Sequence, residues 1–97
     1  MATYVSLMKL TDQGIKNIKD APERIKEGFR EAEAMGGRVS SFYMTMGDYD
    51  YVAISEFPND ELGMTCLMRL GSHFDLRTTT LKAFSIEQIT EMVEKLP

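Results

Sequence analysis

The residues best suited to chemistry stand together in Gly47-Asp48-Tyr49-Asp50, where two carboxylates and a phenol share one short stretch. Such a group could exchange protons as an acid–base pair or clamp a polar ligand. Gly47 and Asp48 are also what a tight turn selects, because glycine takes left-handed backbone and aspartate bonds nearby backbone groups. Turn chemistry accounts less well for Tyr49 and Asp50. Asp50 stands where a strand should begin, with a backbone amide or Arg77 as its prospective partner. A second set is Tyr43, Thr45, Arg77 and Thr79, which could hold a small molecule at a subunit boundary or a sheet–helix cleft. Arg77 is the cation of that set, and its planar fork suits a carboxylate or phosphate. The structural alternative is an ion pair of Arg77 with Asp75, Asp50 or Glu56. His73 could serve as a general base or as a metal or haem ligand. One imidazole in a Gly71-Ser72-His73 loop is more often an exposed polar residue. Cys66 lies in an apolar helical stripe and reads as a small hydrophobe rather than a nucleophile. Arg24, beside Pro22-Glu23, reads as a local cap or ion-pair residue.

Composition narrows the classes. The chain has 97 residues, room for a single domain spanning 1–97. Eleven Lys and Arg against fifteen Asp and Glu give a net charge of −4, the wrong sign for displacing counterions from nucleic-acid phosphates. One cysteine excludes an internal disulfide and a Cys-cluster metal site, and one histidine weighs against a His-rich metal centre or a Ser–His triad. Phosphate-cradling and dinucleotide motifs are missing, so neither a metal nor a cofactor is expected. No apolar run approaches the roughly 18 residues of a membrane helix, and the N-terminal segment is too polar for a signal sequence. A cytoplasmic protein without nucleic-acid or membrane partners is the expectation.

Hydrophobic patterning predicts the elements that would hold these residues. Thr3 to Lys9 reads as a strand. Thr11 and Asp12 can cap a helix whose apolar residues are Ile15, Ile18, Ile25, Phe29, Ala32 and Met35. Pro22 forces a break near Asp20, after which a helix restarts with the proline in its first turn and ends at Gly36-Gly37. Arg38 to Met46 and Tyr51 to Phe57 form an antiparallel hairpin around Gly47–Asp50. Asn59 and Asp60 open a second helix with a Leu62, Cys66, Leu70 stripe, ending at Gly71; Met64 and Met68 border that stripe and fill gaps, or lie on the surface as contact residues. Leu76 to Ala83 is a fourth strand, and Ser85 caps a last helix carrying Ile86, Ile89, Val93 and Leu96 on one side.

The order is β-α-β-β-α-β-α, an α+β ferredoxin-like fold with a four-stranded antiparallel sheet and a C-terminal helix. Two helices cover one face of such a sheet. A solvated second face would alternate with charge, yet both parities of the second and third strands carry aromatics, Met or aliphatics. An uncovered apolar face marks an interface, and a homodimer with sheets face to face is expected, the last helix reaching the partner.

These residues carry a family resemblance. Thr11-Asp12-Gln13-Gly14, then Ile18-Lys19 and Pro22-Glu23-Arg24, then Phe42 through Asp50 with Gly-x-Tyr-Asp at its end, then Gly71 and Arg77-Thr78-Thr79-Thr80, together resemble the GYD-domain family. The chain departs from the family pattern at Ser72-His73-Phe74-Asp75-Leu76. The resemblance implies a dimeric α/β-barrel type of ferredoxin-like fold and no established activity. Three functions remain open on the residues. One is a homodimeric binding or sensing module for a small apolar or weakly acidic metabolite, in a pocket between sheet and helices. Another is a cofactor-free enzyme, monooxygenase- or isomerase-like, in which Tyr43, Asp48, Asp50 or His73 handles a proton. The last is an oligomerisation module without a ligand.

Overall fold

The computed structural model describes residues 1–97. Strands β1 (Ala2–Leu10), β2 (Arg38–Met44), β3 (Tyr51–Phe57) and β4 (Leu76–Ala83) form one antiparallel sheet in the order β2-β3-β1-β4. The helices are α1 (Asp12–Lys16), α2 (Ala21–Ala34), α3 (Asp60–His73) and α4 (Ile86–Glu94). This is the expected α+β ferredoxin-like arrangement, with β2 and β4 at the edges.

Local chemistry sets the boundaries. The Thr11 side chain accepts the Gly14 N–H and starts α1, which stops at Lys16. A 3₁₀ turn over Ile18–Asp20 then delivers the chain to α2, with Pro22 in the first turn where its missing N–H costs nothing. The break also turns Ile15 and Ile18 outward, so neither joins the apolar face read for a continuous helix. Gly36 closes α2 at φ 81°. Asn59 accepts the Leu62 N–H at the start of α3, and Ser85 and Gln88 form a reciprocal capping box on α4. Helix α3 continues past Gly71 to His73.

The core lies between the sheet and α2 and α3. One cluster gathers Tyr4, Ala32, Phe57 and Cys66, and another gathers Met8, Tyr51 and Ala53. Alternation along β1 explains this: Tyr4, Ser6 and Met8 are buried, while Val5 and Leu7 turn to the other face. Met64 and Met68 are exposed, not gap fillers. In β2 the register shifts between Val39 and Ser41. Ser40 is the extra residue of a bulge, so Val39 shares the helix-facing side with Phe42 rather than the far side with Tyr43.

Register places Val5 and Leu7 of β1, Val52 and Ile54 of β3, Tyr43 of β2 and Leu81 of β4 on the far face. No helix of this chain covers them. Tyr43 and Leu81 are more than half exposed. Helix α4 has no buried residue, and Ile86, Val93 and Leu96 are more than half exposed along its apolar side. A molecule 53 Å long and only 18 Å thick thus presents two apolar surfaces to its surroundings.

Candidate functional site

A cavity of about 90 Å³ lies under α2 and α3, against the inner face of the sheet. Its walls combine Met8, Phe42 and Tyr51 from the strands with Ile25 and Phe29 from α2 and Cys66 and Leu70 from α3. It exists because α2 and α3 are spread over the sheet with little contact between them, and Gly28 leaves open space on α2 where a side chain would stand. The fully buried polar groups in the wall are already matched. Ser6 Oγ and Thr80 Oγ1 are 2.9 Å apart across β1 and β4, and no buried side-chain nitrogen or oxygen lacks a partner. The interior therefore selects by shape and apolarity.

At one end Tyr4 donates to Asp60 Oδ1, and Lys82 Nζ donates to Asp60 Oδ2 at 2.9 Å. Burial first, and then the bond to the Asp60 carboxylate, push the Tyr4 phenol up from 10.0 to about 12. The phenol and the Lys82 ammonium together hold Asp60 below the usual carboxylate range. The sign for stability follows. Below pH 10 the phenol is neutral in both folded and unfolded chains, and its contribution is fully present. As pH rises from 10.0 to about 12 the unfolded chain ionises first, so that contribution is lost. Urea titrations across this window should show a shallower alkaline loss for Tyr4→Phe than for the parent; equal slopes would assign the loss to other groups.

At the other end the α3–β4 turn closes on the start of α2. Arg24 Nη1 donates to Asp75 Oδ2 at 2.8 Å, and Nη2 donates to the His73 carbonyl. The guanidinium carbon lies 5.7 Å from the Phe74 ring centroid. Asp75 sits in left-handed backbone at φ 55°, and its carbonyl accepts the Thr11 N–H at 2.9 Å. His73 is exposed, with Nε2 2.8 Å from Arg69 Nη1. Arg69 in turn grips Glu31 of α2 through Nε and Nη2, which holds the Glu31 carboxyl below its ordinary value. Burial raises the Cys66 thiol, which is the state of an inert core cysteine.

None of the eight residues singled out by type and spacing lines the cavity. Asp48 is exposed at the hairpin tip, next to Gly47 at φ 102°. Tyr49 lies beneath Lys9, whose Nζ is 5.4 Å from the ring centroid. Thr45 Oγ1 donates to the Tyr49 carbonyl at 2.6 Å. Asp50 Oδ2 accepts the Leu10 N–H at 2.8 Å, while the Asp50 N–H donates to the Met8 carbonyl. Asp50 therefore ties the hairpin to the end of β1. Asp50→Ala strands that amide and should cost about 1–3 kcal/mol in urea unfolding; an unchanged midpoint would free Asp50 for another role. Tyr43, Arg77 and Thr79 stand exposed on the far face, on opposite edges of the sheet. Asp75, Asp50 and Glu56 are held by Arg24, Leu10 and Arg38 respectively, so none of them pairs with Arg77. Residue reasoning passed over Arg24 as a local residue. Its partner is Asp75, 51 positions away.

A one-sided ferredoxin-like sheet with an apolar chamber under its helices defines the architecture. The chain belongs to the GYD-domain family, whose GYD domain matches residues 4–93. It is similar to the glutamine synthetase and cystathionine beta-lyase binding protein of Thermus thermophilus, with 33% identity over 90 residues, covering 92% of this chain and 95% of that protein. No helix is long and apolar enough to cross a membrane.

Proposed function

We propose that this protein is a homodimeric binding module whose chamber takes a small apolar or weakly acidic molecule. The observation that carries the dimer is the pairing of two uncovered apolar surfaces on one chain: the far sheet face and the apolar side of α4. A second copy supplies the matching surface, sheet against sheet, with each α4 laid on its neighbour. Charge supports the match, since α4 carries Glu87, Glu91 and Glu94 while Lys9 and Arg77 stand on the far sheet face. Light scattering on the purified chain at micromolar concentration should give twice the chain mass; a monomer there overturns the assembly.

The relative's name favours an additional reading, in which the module acts by docking on metabolic enzymes. Glutamine synthetase and cystathionine β-lyase are the first partners to test. Binding of either purified enzyme to immobilised protein supports this reading, and no binding of both by surface plasmon resonance removes it. The Gly47–Asp50 tip, at the end of the hairpin and away from the chamber, is available for such a contact.

A further inference from the structure

We propose that Arg24 makes the chamber a receptor for a short apolar monocarboxylate, an inference that rests on the reading of the chamber as a ligand site. Arg24 is the one charged residue among those lining the chamber. A guanidinium offers five N–H donors in a fixed fork. Asp75 and the His73 carbonyl take one each, which leaves three without a protein acceptor. Phe74, itself buried, backs the guanidinium from one side. A carboxylate at this end of the chamber gains charge-assisted bonds from those free donors.

The far part of the chamber sets the rest of the ligand. Ser6 and Thr80 satisfy each other there and no charged side chain lines that part, so a second charged group on the ligand would be stranded without a counter-charge. The ligand therefore carries its charge at one end only. A dry cavity of about 150 Å³ takes the six carbons of benzene, so 90 Å³ takes an apolar body of about four carbons. Branched, short-chain acids have that shape.

Asp75 is the built-in competitor. Its carboxylate lies on the same guanidinium that the ligand's carboxylate would meet, so the two like charges oppose each other across Arg24. Freeing Arg24 of that competitor strengthens acid binding.

The test titrates the full chain with 3-methylbutanoate and, separately, with 3-methylbutanamide, its uncharged match, followed by calorimetry and amide NMR. The acid should bind about tenfold or more tightly than the amide, moving the Arg24, Phe74 and Thr80 signals. Asp75→Asn should tighten the acid severalfold and leave the amide unchanged. Arg24→Gln should bring the acid to the amide's level. Acid and amide binding equally to the parent protein overturns the carboxylate specificity while the chamber remains a ligand site. Binding of neither at millimolar concentration overturns both readings. The acid–amide contrast in the parent chain decides the matter even where a variant fails to fold.

Discussion

Gly37→Ala should lower the urea midpoint sharply. A Cβ at this position would stand 2.4 Å from Phe57 Cδ1, 2.5 Å from Phe57 Cε1 and 2.6 Å from the Glu56 carbonyl oxygen. All three distances are far inside van der Waals contact. Neither neighbour can step aside: Phe57 is buried in the cluster with Tyr4, Ala32 and Cys66, and Glu56 is paired on both sides, with Thr3 of β1 and Arg38 of β2. Overpacking a filled site costs about 1–3 kcal/mol, and more where backbone must move. Against a total stability of about 5–15 kcal/mol, a loss of about 3 kcal/mol or more removes a large share of what keeps a small domain folded. Gly28→Ala is the matched control. Its Cβ meets nothing within 4 Å, so the gain in helix propensity of about 0.8–1 kcal/mol should raise the urea midpoint. A parent-like midpoint for Gly37→Ala would contradict the packing described between the β2 entry and β3.

Ile54→Lys should separate the dimer while sparing the fold. Ile54 lies on the far face of β3, opposite Val5 of β1 and Ser41 of β2, so the substitution adds no volume to the core under the helices. In a sheet-to-sheet dimer the new ammonium would be buried against an apolar surface without a counter-charge, which costs several kcal/mol. The dissociation constant should rise about a hundredfold or more. Sedimentation should then give a monomer with unchanged near-UV circular dichroism. Met46→Lys is the control, since Met46 is 99% exposed at the hairpin tip and off that face; it should leave the assembly intact. A dimer that survives Ile54→Lys pairs through some other surface.

The element order was legible because the punctuation is strong. Thr11, Pro22, Gly36, Asn59 and Ser85 each act within four residues of the boundary they set, and β3 and β4 run between the residues their patterning predicts. The uncovered face was legible too, since it follows from counting helices against sheet faces. Two finer features were not. The bulge at Ser40 carries no special residue type, and it reverses which side Val39 faces. Likewise, the chamber depends on how far α2 and α3 spread across the sheet, which apolar spacing on each helix alone does not encode. Hydrogen-bond partners 51 and 56 positions apart, Arg24 with Asp75 and Tyr4 with Asp60, escape local reading for the same reason. Conversely, the eye-catching Asp50 turned out to be bound to a main-chain amide, because a strand end at that point needed an acceptor.

Helix α4 has nine residues, and none of its side chains is buried by its own chain. A helix shorter than about 12–15 residues is marginal in water when nothing packs against it. In the proposed assembly, the order of this segment is therefore borrowed from the neighbouring copy. The tail then reports how much protein is present: helical where copies are abundant, frayed and open to proteases where they are scarce.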